Sequence, residues 1–230
     1  MLTVTNASGF GAGGISPMTA NFNAYAANTG SASTYTFSSQ AIGTAATGRI
    51  VVVCIVAYSS TSATTVSSVT VGGTSCAKVV VTQSPHVNFV TEMWACQKDT
   101  GTTGDIVAVH SAGCLRYSYS SFSLYGAGGV TAYATDVDHT DYDPIATVAV
   151  PGGGVVVAVT SGNQGYNPKT FTWASPMTEG SDFLVESEQQ HTSAHALHAS
   201  TGSSVSPTAN SDSGNSSAGT WFALAASWGP

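Results

Sequence analysis

Four cysteines and a knot of aspartates are the residues whose types and spacing could do chemistry in this chain of 230 residues. Cys54, Cys76, Cys96 and Cys114 are separated by 21, 19 and 17 residues, with no CxxC among them. That spacing argues against a zinc ribbon and a thioredoxin-like centre. Cys54 stands among Ile, Val and Ala in GRIVVVCIVAY (48–58) and reads as a small core hydrophobe. Cys76 follows the turn Gly72-Gly73-Thr74, and Cys96 and Cys114 fall near strand ends in MWACQKDTGTTGDIVAVHSAGCLRYSYS (93–120). If 89–97, 104–110 and 114–124 form a simple meander, these last two lie at opposite ends of a sheet. A strand of about six residues separates them by ~20 Å, beyond the ~7 Å Cα separation that a disulfide tolerates. Strands alternating between two sheets would lift that restriction. Cys76, Cys96 and Cys114 are therefore candidates for disulfides to another subunit, with free, unused thiols as the alternative.

The stretch DVDHTDYDP (136–144) holds Asp136, Asp138, Asp141 and Asp143, a third of the chain's 12 acids. Hard cations such as Ca²⁺ want clustered oxygens, so a calcium site at a subunit contact is one reading. A solvated acidic loop is the other, because the glycine and terminal glutamate of an EF-hand loop are missing. In HTSAHALH (191–198), His191, His195 and His198 would share a helix face, but the neighbours read as a strand. On a strand His195 and His198 point to opposite faces, which argues against a zinc site.

A hydrolytic reading finds no GxSxG, HExxH or P-loop. Glu186 and Glu188 would share one strand face and could not straddle a sugar from two sides. The expectation is a non-enzymatic protein with no cofactor beyond a possible calcium ion. The aromatics offer another use. Tyr117, Tyr119 and Tyr125 occupy odd positions of RYSYSSFSLYG and share one strand face, and Trp173 follows the turn GNQGYNP. Such rings could stack on sugars; the alternative is the core side of a sandwich strand with hydroxyls at its rim.

The elements that must position these groups are strands. Apolar runs are short and β-branched, turn clusters of Gly, Asn, Asp and Pro separate them, and helical periodicity is nearly absent. GRIVVVCIVAY is apolar at successive positions, the pattern of a strand buried on both faces. About fourteen such strands predict an all-β chain, a β-sandwich of jelly-roll type. No internal repeat is visible. Residues 46–230 read as a single domain, and 1–45 as an extended N-terminal segment or arm that packs on a neighbour, with a self-packed edge strand as the alternative.

Composition restricts the partners. Only 7% of residues are charged, while Ser and Thr number 62 and Gly 25. Five cations against 12 acids, net charge -7, cannot build a phosphate-binding patch or hold an anionic bilayer. No run approaches the ~20 apolar residues of a membrane helix. Nucleic acid and membrane are thus not expected as partners. MLTVTNASGF has neither a basic nor an apolar signal region, so synthesis in a cytoplasm is expected. The hydroxyl-rich, low-charge style suits work outside a cell. A virus-particle component released by lysis meets both conditions.

The order AIGTAATGRIVVVCIV, VSSVTVGGTSCAKVV, MWAC…GTTGDIVAVHS, SFSLYG, PGGGVVVAVTS and FALAASW resembles a β-rich group of tailed-bacteriophage virion structural proteins over residues 40–228. The resemblance lies in strand-and-turn texture and involves no catalytic motif, so it transfers no functional residue. It implies a jelly-roll-like component of the virion: a capsid decoration or minor capsid protein, or a neck or tail appendage. Partners would be other virion proteins, above all the major capsid protein, and further copies of the chain, plausibly in a trimer. Some tailed phages reinforce their particles with disulfides, which would give the cysteines a use. The alternative for the same group is a neck or tail module that binds host-surface glycans.

Overall fold

The run Ile50–Ala57 is buried at every position. Its alternate residues face two different cores. Ile50, Val52, Cys54 and Val56 point to one, and Val51, Val53, Ile55 and Ala57 to the other. Six of these side chains are Val or Ile, and burying each contributes roughly 1.5–3 kcal/mol. A strand of this kind must be covered on both faces, and the architecture follows from that requirement. The computed structural model describes residues 16–59, 64–83, 89–138, 145–163, 171–186, 189–197, 203–205, 209–211 and 221–230, and their regular structure is entirely β.

The first half of the chain supplies β1 (Thr19–Asn28), β2 (Ala32–Ala41), β3 (Ile50–Tyr58), β4 (Val66–Val71), β5 (Thr74–Ser75), β6 (Ala77–Gln83), β7 (Phe89–Gln97), β8 (Thr103–Cys114) and β9 (Arg116–Tyr125). They form a five-stranded sheet in the order β1-β9-β3-β7-β6 and a four-stranded sheet in the order β2-β8-β4-β5. The second half supplies β10 (Ala134–Asp138), β11 (Val148–Val150), β12 (Val155–Asn163), β13 (Phe171–Trp173), β14 (Thr178–Val185), β15 (Gln189–Leu197), β16 (Ser203–Val205), β17 (Ala209–Ser211) and β18 (Trp221–Trp228). Here the five-stranded order is β10-β18-β12-β15-β14, with β11-β16 and β13-β17 as separate two-stranded ribbons.

These two orders are the same order. Matching β1 with β10, β3 with β12, β6 with β14, β7 with β15 and β9 with β18 superposes one five-stranded list on the other. The remaining pairs follow: β2·β8 corresponds to β11·β16, and β4·β8 to β13·β17. Every pairing is antiparallel in both halves. The topology is therefore duplicated although the sequence shows no repeat. Strand order needs only apolar alternation at each position, so the side chains are free to diverge.

The two five-stranded sheets pack on each other through equivalent faces. Val52, Phe122 and Leu124 from one meet a core shared with Val157, Ala226 and Trp228 from the other. The contact is self-complementary, as in a two-fold dimer: β6 lies on β10 and β18, and β14 lies on β1 and β9. The opposite face of the first sheet packs on β2, β4 and β8 around Val53, Ile55, Trp94 and Ile106. The outer face of the second sheet is covered by Ala146, Val148, Val150 and Met177.

The all-β expectation holds: the described residues form several antiparallel sheets, three of them principal. The topology also decides two open readings. Residues 19–41 follow the edge-strand alternative, β1 at the edge of the first five-stranded sheet and β2 at the edge of the four-stranded sheet; residues 1–15 lie outside the described residues. Strands β7, β8 and β9 are no meander, because β8 belongs to a different sheet from its neighbours.

Candidate functional site

The crossover from β5 to β6 passes from the four-stranded sheet to the five-stranded one, and Cys76 sits between them. Its backbone N–H donates to Val69 O at 2.9 Å. Ala77 pairs with Ala95, so the antiparallel register sets Cys76 opposite Cys96. Both side chains join the apolar cluster between the two sheets, Cys96 buried and Cys76 half-buried. The neighbouring Cys96 thiol, with burial, pushes the Cys76 thiol up. Cys76 in turn holds Cys96 below its usual range against the opposing effect of burial, helped by the positive charges of Lys98 and Arg49.

The other thiols are packed away. Cys114 is fully buried with its sulfur 3.6 Å from Thr64 Oγ1. Cys54 faces the core between the five-stranded sheets, and burial pushes its thiol up to about 12. Cys96 and Cys114 are thus turned inward, which corrects the expectation that they offer themselves to a second subunit; only Cys76 retains partial exposure. The pairing of consecutive strands β6 and β7 within one sheet is what brings Cys96 into reach of a cysteine of its own chain.

Charge is consumed locally. Glu92, fully buried, accepts from Trp94 Nε1 at 2.7 Å and Val66 N at 3.1 Å, and pairs with Lys78 Nζ at 3.0 Å. Arg49, also fully buried, donates to the carbonyls of Gly43, Lys98, Thr100 and Gly101. Lys98 Nζ donates to Gly72 O, and Arg116 pairs with Glu186. The hint in the sequence was Arg49 itself, a cation abutting an eight-residue apolar run.

Between the five-stranded sheets lies a buried imidazole. Ser118 Oγ is 3.0 Å from His191 Nδ1, and Ser120 Oγ is 2.9 Å from Nε2. Whichever nitrogen carries the proton, one hydroxyl accepts and the other donates. Burial lowers the His191 pKa to about 3. A serine bonded to an imidazole resembles a nucleophile in form, but all three residues have zero exposure, which leaves a substrate no path.

Two of the four aspartates cap backbone N–H groups: Asp136 Oδ2 accepts from Thr147 N at 2.6 Å, and Asp138 Oδ2 from Ile145 N at 2.7 Å. Asp141, Asp143, His139 and His198 lie outside the described residues. Among the described residues no three His, Cys, Asp or Glu side chains are grouped to hold a metal ion.

Of the aromatics, Tyr117 and Tyr119 have zero exposure and pack inside the first sandwich, which removes them as sugar platforms. Trp173 leans on the outer core of the second half and donates to Thr192 Oγ1 at 2.8 Å. Tyr125 is placed differently. It lines an open groove of about 360 Å³ with Asn21, Phe22, Asn23, Thr44 and Thr102, and its hydroxyl donates to Thr44 O at 3.1 Å.

Comparison with protein-family models, with curated proteins and with solved structures finds no significant match.

Proposed function

We propose that the chain is a non-enzymatic structural component of a tailed-phage particle, one that decorates or reinforces the capsid. Each half is read as a jelly roll, with its first and last strands paired at one side and consecutive strands divided between sheets. The carrying observation is how charge is used. The described cations Arg49, Lys78, Lys98 and Arg116 are all bonded within the chain. Outside, a few carboxylates such as Asp105 and Glu179 stand among many hydroxyl and small residues, with exposed apolar side chains such as Tyr25, Tyr133, Ile145 and Leu197. Such a surface docks by apolar and hydrogen-bonded contact, and a stack of three sheets makes a stiff plate to carry it. In this reading the partners are the major capsid protein and further copies of the chain in a symmetric oligomer.

The test is mass spectrometry of purified particles whose genome encodes the chain, followed by salt washing. The chain should be present in stoichiometric amount and remain bound at about 1 M NaCl, where the Debye length is ~3 Å. Absence from the particles rejects the reading; release at moderate salt rejects the mode of docking.

The groove at Tyr125 favours a second reading, a neck or tail module for host-surface glycans. Its mixture of ring faces with Asn and Thr side chains matches the alternation of apolar and hydroxyl faces on a sugar. A glycan array probed with the full chain and with Tyr125→Ala decides it: binding lost in the variant supports the module, and no binding by either rejects it.

A further inference from the structure

We propose that Cys76 and Cys96 form a reversible disulfide within the chain, an oxidation site that locks the β5–β6 crossover to β7.

The backbone provides the fit. Residues directly opposite in an antiparallel pair have Cα atoms ~4.5–5.5 Å apart, inside the ~4.4–6.8 Å range of disulfides. Ala77 opposite Ala95 begins the β6–β7 ladder, and continuing that register by one residue places Cys76 against Cys96. The bond from Cys76 N to Val69 O anchors the backbone at the crossover. Both side chains lie in one apolar cluster, close enough that each thiol shifts the acidity of the other.

The chemistry is thiol–disulfide exchange with a low-molecular-weight disulfide as oxidant. Half-exposed Cys76 gives up its proton and attacks one sulfur of oxidised glutathione, breaking the S–S bond and releasing one glutathione thiolate. Cys96 then loses its proton and attacks the Cys76 sulfur of the mixed disulfide, releasing the second thiolate. The protein surrenders two electrons and two protons, and oxidised glutathione leaves as two thiols. The positive charges of Lys98 and Arg49 near Cys96 favour its thiolate in the closing step. A bond closing the loop of roughly 20 residues made by β6 and β7 should raise Tm by about 5–10 °C.

The experiment uses the reduced full-length chain, treated with oxidised glutathione, quenched with N-ethylmaleimide, unfolded and digested. The expected product is a Cys76–Cys96 cross-linked peptide from a chain that still runs as a monomer on a non-reducing gel. Dithiothreitol should restore both thiols and the lower Tm. Cys76→Ser should abolish the cross-link and the Tm shift, as should Cys96→Ala, and Cys114→Ala should alter neither. Cys76→Ser carries the test alone if the buried Cys96→Ala folds poorly. Glutathione retained on Cys76, a covalent dimer through Cys76, or four unreacted thiols would each overturn the proposal.

Discussion

Ser120 Oγ lies 2.9 Å from Nε2 of His191 in the seam between the two five-stranded sheets, and neither residue has any exposure to solvent. With Ser118 on the other ring nitrogen, both ring nitrogens have partners, and it is burial, which excludes the charged form, that keeps the imidazole neutral. His110, wedged against Tyr35 and Tyr117, is held neutral by the same cause, its pKa lowered by burial to about 4.

Acid should therefore unfold this protein from well above the carboxylate range. Below pH ~6.5 the unfolded chain takes up protons that the folded histidines refuse, so stability falls as pH drops, by ~1.4 kcal/mol per unit for each histidine. For His191 the window closes near its folded pKa of about 3. Denaturant melts at successive pH values should show the slope between pH ~4 and ~6, and His191→Asn should reduce it by about one proton. A stability flat across that window defeats the account.

Arg49 ties the turn before β3 to the turn after β7 through four backbone carbonyls. Lysine cannot reproduce that planar fork. Arg49→Lys should cost about 3–5 kcal/mol in urea unfolding, since several buried carbonyls lose their donor. A loss below ~1 kcal/mol would mean that the turns hold without it.

Lys78 is about one-third exposed while its partner Glu92 is not exposed at all. Lys78→Met should cost about 2–3 kcal/mol, because it strands a buried carboxylate. Adding Glu92→Gln should recover a large part of that loss. The double-mutant cycle would show a coupling of ~1–3 kcal/mol, whereas additive single effects would mean that the pair does not interact.

Gly180 is the bulge residue of β14, skipped between the pairs Glu179–Ala194 and Ser181–Ser193. A Cβ there would lie 2.7 Å from Phe22 and 3.0 Å from Phe122, where the second half packs on the first. Gly180→Ala should destabilise by about 1–3 kcal/mol through overpacking. Calorimetry checks this, and an unchanged Tm would show that the seam can open locally.

The sequence by itself determined that the chain is β throughout, that β3 is buried on both faces, and that Cys54 is core. These properties rest on local alternation, where each residue's neighbours report which way it points. The identity of the strands that meet is a different matter. Many pairings satisfy the same alternation, and the choice among them is made by long-range packing. The tertiary structure alone decided that β8 leaves the sheet of β7 and β9. That one choice seals Tyr117, Tyr119 and Cys114 inside the first sandwich. It also decided that β6 lies beside β7, which sets Cys76 opposite Cys96, and that 134–228 repeats the strand order of 19–125. In the sequence His191 is one of three histidines in HTSAHALH; only the docking of the two halves supplies its serines and buries it.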